Sequence, residues 1–365
     1  MSREELRGRQ EEAGGRTGEH HGREGVLEFG DVAGEYRRLR EAAAAVDDAD
    51  RALLEVRGEA ALEHFGGLVT HHLEGTVPGE GVYAFMLTAQ GRPVTDLRAL
   101  CLEPDAGEER ILVDLPGACR EAASDHLARY LPPRLASRRE RDDLVRLGLD
   151  GPAARRALAA ATDGDVSPPD EPLAHRRLPL ADLPEPVRAL RREAIEGGGV
   201  DLYVPAGRAA AAWEALAAAA RRSDGGAAGL VAREAVRVER GVPAGGREIT
   251  EEVLPQETGQ EGRAISYEKG CYTGQEVVAK IHYRGRVNRH LRGLRLDEES
   301  GLPAAGTELH DADRSRGRVT TAVRSPRLGP IALAYLHRSV EPGQRVAVGA
   351  GDDAGAEVVE LPFEA

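Results

Sequence analysis

The sequence predicts an α+β protein made of a duplicated α/β module followed by a small β-barrel, and three observations carry that expectation. Leu53 to Arg57 alternates like a strand and runs through Gly58 into an Ala-Leu helix near Glu59 to Phe65. Leu144 to Leu149 is again strand-like, Gly151 again breaks it, and Pro152 stands where a first helical turn tolerates proline, ahead of a helix over Ala153 to Ala161. After Asn288 the texture changes to short alternating segments separated by Gly and Pro, at Leu291 to Leu296, Arg318 to Val323, Ile331 to Leu336 and Arg345 to Val348. The two Gly-centred turns share an apolar strand, a glycine, one spacer, an Ala-Ala pair and a helix. The competing reading is two unrelated strand-to-helix turns, since short matches are cheap.

Between the two modules, Gly81 to Leu87 and Pro93 to Leu102 flank Ala89-Gln90-Gly91-Arg92, a polar glycine-containing connection that closes a hairpin. Asp96 lies just beyond that turn. Pro168, Pro169 and Pro172 mark a loop, and Gly207 to Ala220 reads as a helix carrying the single tryptophan, Trp213, as core packing. At 365 residues the chain is long enough for two or three domains.

Composition narrows the function classes. No apolar run approaches the roughly 20 residues needed to span a bilayer, so no membrane anchor is expected. Met1 to Glu24 alternates Arg with Glu and lacks the apolar stretch of a signal peptide; it reads as a disordered tail. Cys101, Cys119 and Cys271 are an odd number without metal-ligand spacing, which indicates neither a disulfide framework nor a metal site and fits a reducing cytoplasm. A formal charge of -13 opposes general attraction to nucleic acid, though a local basic patch could still hold a polyanion.

One segment stands apart. Of 49 basic residues only Lys269 and Lys280 are lysines, and Asn288 is the single asparagine; all three fall in one stretch with Cys271, Tyr267, Tyr272 and Tyr283. Elsewhere Arg and Ala have displaced Lys and Asn. Arginine cannot replace lysine where a compact point charge or a titratable amine is needed, which gives the exception a physical reading; drift is the other.

Within it, Lys269-Gly270-Cys271-Tyr272-Thr273-Gly274-Gln275-Glu276 places two glycines around a thiol and opens a helix near Thr273 or Gly274. A helix N-terminus and a neighbouring ammonium both favour thiolate, so Cys271 is expected to be reactive, while Cys101 and Cys119 read as packed thiols. Lys280, His282, Arg284, Arg286, Arg289, His290 and Arg292 form a basic run with Tyr283 interleaved. It either grips a polyanion, such as a folate polyglutamate tail, phosphate or RNA, or is a solvated face paired with nearby glutamates.

The run Lys-Gly-Cys-Tyr-Thr-Gly-Gln-Glu, with Ala279-Lys280 and Arg284-Gly285 after it, closely resembles the signature of the YgfZ folate-binding family. Supporting similarity extends from Leu27 to Phe363: Gln90-Gly91-Arg92 leading to Asp96-Leu97, Arg233 to Arg237, Glu239 to Gly241, Leu254-Pro255-Gln256-Glu257 and Leu361-Pro362-Phe363. The resemblance implies a GcvT-like cloverleaf, shared with glycine-cleavage aminomethyltransferases, of two related α/β subdomains and a C-terminal barrel around a tetrahydrofolate pocket. Its boundaries would be a tail over 1–24, a folate-binding domain over 25–285 with subdomains at about 25–142 and 143–285, and a barrel over 286–365. It also implies Cys271, Asp96 and Lys269 as chemical residues, and Asp96, Arg233, Tyr272, Gln275, Glu276, Lys280 and Arg284 as cofactor-binding.

Two departures from the transferases stand out. They carry an Asp-Asp pair where this chain has Thr95-Asp96, and a pterin-binding glutamate where it has Gly197. The thiol motif, by contrast, is absent from them. The resemblance therefore implies a tetrahydrofolate-binding, cytoplasmic protein that serves assembly or repair of clusters in iron-sulfur client enzymes, including ones that modify transfer RNA. The alternatives are a folate-dependent one-carbon transferase, with Asp96 guiding protonation, and a folate-sensing or RNA-binding regulator. Whether a reaction is catalysed stays open, as does the role of Cys271 as nucleophile, ligand or redox sensor.

Overall fold

The computed structural model describes residues 2–162, 168–180, 183–298, 301–312, 314–349 and 355–363. The chain forms two compact units, one of residues 1–66, 73–83 and 97–233, the other of 67–72, 84–96 and 234–365.

The first unit opens with α1 (Ser2–Glu12), the hairpin β1 (Arg16–His20) and β2 (Arg23–Glu28), α2 (Val32–Glu41) and β3 (Ala44–Asp47). This corrects the expectation of a disordered tail. Leu6 is 2% exposed and joins the core that holds Trp213, and one turn later Gln10 Nε2 donates to Asp47 Oδ2 at 2.9 Å. A mean composition dominated by Arg and Glu hides such a face, because one apolar residue and one amide at i and i+4 are enough to seat a short helix whose other side is solvated.

Two copies of one module follow. The first runs β4 (Ala52–Gly58), α3 (Ala61–Gly66), β5 (Gly81–Leu87), β6 (Pro93–Asp105), β7 (Glu108–Leu115), α4 (Arg120–Tyr130) and β8 (Ser137–Glu140). The second runs β9 (Leu144–Asp150), α5 (Ala154–Ala161), β10 (His175–Leu178), β11 (Val187–Arg191), β12 (Val200–Pro205), α6 (Ala209–Arg221) and β13 (Gly226–Ala227). Their sheets are ordered β5-β6-β7-β4-β8 and β10-β11-β12-β9-β3-β13, the same order with β3 inserted before the last strand. The correspondence reaches local detail: Pro116 and Pro205 have nearly equal backbone angles, and each opens a short 3-10 turn that runs into α4 or α6. The glycine-centred turns are therefore equivalent points of a true duplication. Gly151 has φ +96 and faces the carbonyl of Ala42 so closely that a Cβ would lie 2.5 Å from it, which is why the strand must break on glycine there.

The second unit contains α7 from Glu234 onward (the whole helix is Leu230–Glu239), the short α8 (Glu261–Ala264), α9 (Gln275–Arg284) and the far end of the β5–β6 hairpin, Ala84–Asp96. It ends in a closed barrel of β14 (Arg289–Leu296), β15 (Glu308–Asp311), β16 (Arg314–Ser325), β17 (Gly329–His337), β18 (Arg345–Val348) and β19 (Gly355–Val359), ordered β14-β17-β16-β15-β18-β19. Alternation fills it: Leu294, Leu296, Leu309, Val319, Leu336, Val346 and Val358 pack one cluster, while Leu291, Val323, Ile331, Leu333 and Tyr335 pack another with Val238, Val253 and Phe363. All four segments expected as barrel strands are strands. No helix among the described residues is long and apolar enough to cross a membrane.

Candidate functional site

The loop that carries the thiol joins α8 to α9 and is fastened inside the second unit. Ser266 N donates to the Thr70 carbonyl at 2.9 Å, and Thr273 N to the Gly67 carbonyl at 3.0 Å. Thr70 is itself fixed, its Oγ1 donating to Ala264 O at 2.6 Å and accepting from Phe85 N at 2.9 Å. Between the two backbone anchors, Lys269 Nζ donates to the carbonyls of Val69 at 2.7 Å and His71 at 3.2 Å, and lies 5.1 Å from the centre of the Tyr272 ring. Tyr272 is 8% exposed, and burial pushes its hydroxyl up to about 12. Glu268, Gly270 and Cys271 stand outward at the crest, all exposed.

Lys269 holds two carbonyls across the base of the loop, a task suited to a compact ammonium on a flexible stem. The helix start is later than the thiol. Gly274, at φ +82, caps α9 and Gln275 opens it, so Cys271 precedes the first helical residue by a loop rather than sitting on the first turn.

Two motifs that are far apart in sequence meet here. The hairpin turn closes with Thr88 N to Arg92 O at 2.8 Å and Gly91 N to Thr88 O at 2.9 Å. A Cβ on Gly274 would lie 2.5 Å from Thr88 O and 3.0 Å from Gly91 Cα, and one on Gly91 would lie 2.9 Å from Val277 Cβ. Both glycines have positive φ. Gln90-Gly91-Arg92 and Gly274-Gln275-Glu276 thus abut through bare backbone, which needs glycine on both sides. Asp96 follows on β6, 8% exposed, and Thr95 beside it is fully buried with Oγ1 donating to the Asp96 carbonyl at 2.8 Å. Thr95 is a packed hydroxyl and supplies no second acid.

The cofactor-binding residues expected on α9 divide by exposure. Gln275 is half-buried, while Glu276, Lys280 and Arg284 are exposed. Along the same stretch Tyr267 hydroxyl donates to Glu261, His282 Nδ1 lies 3.0 Å from that carboxylate, and the Tyr267 and His282 rings stack at 3.6 Å. Gln256, from the Leu-Pro-Gln-Glu motif, donates from Nε2 to Val278 O at 3.0 Å, and its neighbour Glu257 takes Arg289 at 2.9 and 3.2 Å. Part of that motif is scaffolding for α9 and β14.

Arg233 belongs to the first unit. Its fork is occupied by Asp48, with Nη1 and Nη2 at 2.9 and 2.8 Å, and Nη1 also donates to Asp47 O at 3.0 Å. Asp48 and the Asp47 carbonyl thus take three of its five N–H donors. Asp48 also accepts from Arg146 at 3.0 Å and Arg23 at 2.9 Å. Burial alone would raise its pKa, but Arg233, Arg146 and Arg23 outweigh that and hold it well below the usual carboxylate range. Asp114, fully buried, is likewise held low against the cost of burial by Arg146 and Arg51, both at 2.7 Å, and by Arg98. Asp201 takes Arg98 at 2.6 Å. No carboxylate stands at Gly197, and its neighbour Glu196 pairs with Arg98. The same unit has an open cleft of about 700 Å³ lined in part by Leu6, Gln10, Phe29, Asp47, Trp213 and Arg233, within the range of small-molecule sites.

This ion network was not read from the sequence, though a signal existed. Arg98, Asp114, Arg146 and Asp201 each stand among apolar neighbours on a strand at a buried position, where a charge requires an opposite partner. Among the described residues no group of three or more His, Cys, Asp or Glu is placed to hold a metal ion.

A duplicated α/β module joined to a closed six-stranded barrel defines the architectural class of aminomethyltransferase-like proteins. The GCVT N-terminal domain model matches residues 6–269 and the glycine cleavage T-protein C-terminal barrel domain model residues 289–364, and the chain belongs to this family. It is 31% identical over 358 residues to an aminomethyltransferase of Geobacillus kaustophilus (strain HTA426), covering 96% of this chain and 95% of that one. With an aminomethyltransferase of Bacillus subtilis (strain 168) it shares 28% identity over 328 residues, covering 89% and 88%. The crystal structure of glycine cleavage system aminomethyltransferase T from Bartonella henselae has the same fold, with TM-score 0.82 and 23% identity over 99% of this chain and 97% of that one.

Proposed function

We propose that the protein binds a reduced folate of the tetrahydrofolate type and, through Cys271, supports assembly or repair of clusters in iron-sulfur enzymes, as the YgfZ-like motif implies. Membership of the aminomethyltransferase family supports the folate part. The observation that carries the thiol part is the presentation of Cys271: an exposed cysteine on a loop fixed at Ser266, Lys269 and Thr273. A single thiolate cannot retain a cluster, which takes several ligands, so contact with one is transient or shared with a client or an assembly protein. Folate supplies one-carbon or reducing chemistry when bound. Asp96, buried on β6, is suited to orient the pterin or take a proton from it, with the cleft of the first unit as a second place where ligand could enter.

A second reading is folate-dependent aminomethyl transfer, and the names of the relatives favour it. The substitutions at Thr95 and Gly197 weigh against it, because Thr95 carries no ionisable group and no acid occupies position 197. Incubation with an aminomethylated carrier protein and tetrahydrofolate separates the two. Formation of methylene-tetrahydrofolate at a rate insensitive to Cys271→Ala establishes the transferase; tight folate binding without turnover supports the thiol-based role.

A further inference from the structure

The structure sorts the basic run that follows the thiol loop. Arg289 is held by Glu257, Arg292 pairs with Glu360 at 2.9 Å, and His282 pairs with Glu261. His290 is half-buried, and burial together with Arg292 lowers its pKa. That leaves Lys280 and Arg284, one turn apart on α9, and Arg286 just past its end. All three are exposed and make no hydrogen bond or ion pair among the described residues; Glu276, one turn before Lys280, is exposed and does not pair with it.

Amid these cations lies Tyr283, 69% exposed, more than any other large hydrophobic side chain among the described residues. It is not a loose side chain. Its ring meets His282 edge-on at 4.9 Å, His282 stacks on Tyr267 at 3.6 Å, and the Glu261 carboxylate fixes the backs of both Tyr267 and His282. The result is a supported aromatic shelf beside three unpaired cations, in a chain whose formal charge is -13.

The ligand that uses both features repeats a flat ring beside each anion along one flexible strand, whereas a folate polyglutamate has its rings at one end and its carboxylates at the other. An acidic peptide would engage the cations and leave the ring face unused, and a duplex keeps its bases stacked inside. We propose that the surface formed by Lys280, Tyr283, Arg284 and Arg286 binds single-stranded RNA, with a base stacked on Tyr283 and phosphates on the three cations, and with little sequence preference. This goes beyond the folate and thiol reading and stands if that reading fails.

The test is fluorescence anisotropy of the full chain with a labelled oligoadenylate of about 12 nucleotides, long enough to cover one such groove, over a salt series. Three phosphate contacts give a log–log salt slope of about -2. Tyr283→Ala should weaken binding by about 5-fold or more at unchanged slope, as expected for loss of one stacked base. The Lys280→Gln, Arg284→Gln, Arg286→Gln combination should bring the slope close to zero. All four positions are exposed, and circular dichroism checks that the variants fold. Absence of binding at low salt overturns the proposal, as do equal affinities of wild type and the triple variant. Equal binding of duplex RNA overturns it too, and so does equal competition by oligoglutamate together with no effect of Tyr283→Ala, which would assign the patch to an acidic polypeptide.

Discussion

Lys269 Nζ donates to the carbonyl oxygen of Val69 at 2.7 Å, and this contact, with the one to His71, ties the thiol loop to the 67–72 segment. A hydrogen bond to a charged group contributes about 1.5–3 kcal/mol. Lys269→Met should lower stability by about that amount and raise amide exchange across Ser266 to Thr273. Lys269→Arg should rescue little, because the longer, planar guanidinium does not fit the place a compact ammonium takes between the two carbonyls. Rescue by arginine equal to wild type would show that charge alone matters.

Gly274 meets the hairpin tip at Gly91 with no room for a side chain. Gly274→Ala places a Cβ against Thr88 O at positive φ, and the combined strain and overlap should cost about 1–3 kcal/mol, read from denaturant unfolding. The same substitution should detach the turn, so that Gln90 and Gly91 exchange their amides faster. Gly259, also at positive φ but with nothing near its Cβ position, is the control; Gly259→Ala should cost only the backbone term.

Arg233 and Asp48 are nearly buried partners. Arg233→Ala leaves Asp48 with fewer cations in a dry setting and should destabilise the first unit by about 3–5 kcal/mol. If Arg233 instead serves ligand binding alone, folate affinity would fall while the melting temperature of the ligand-free protein stayed put.

His175 gives a pH signature. It is 3% exposed, its Nε2 lies 3.1 Å from Glu80 O and its Nδ1 2.7 Å from Arg188 Nη1, the pattern of a neutral ring; burial, then Arg188, push its pKa down to about 4. The unfolded chain takes up a proton near pH 6.5 and the folded one only near 4. Stability contributed by this group is therefore full above about 6.5 and declines as pH falls to about 4. Urea unfolding at stepped pH should show the decline, and His175→Gln should flatten it.

Much of this was legible beforehand where local pattern and burial agree. The strand-glycine-helix turns at Gly58 and Gly151, the hairpin around Gly91 and the barrel strands all carry alternation bounded by glycine or proline, and each appears in place. β15 carries a single apolar residue, Leu309, between charged and polar ones, so alternation does not register in it. α1 was invisible because its seating depends on Leu6 and Gln10 meeting groups supplied by the rest of the first unit. The thiol loop was found through its lysine and glycine, yet the anchoring contacts of Lys269 were not legible, since only the fold brings the Val69 and His71 carbonyls to it. Arg233 was likewise assigned to ligand without sight of Asp48.

The most direct test of the thiol-based role is complementation. The gene is deleted in its host, and the activities of iron-sulfur enzymes are compared after return of wild type or Cys271→Ala, with folate binding measured for both proteins. The account predicts that activity falls on deletion, that wild type restores it, and that Cys271→Ala binds folate equally yet restores nothing. Full restoration by Cys271→Ala, or cluster enzymes untouched by the deletion, would contradict it.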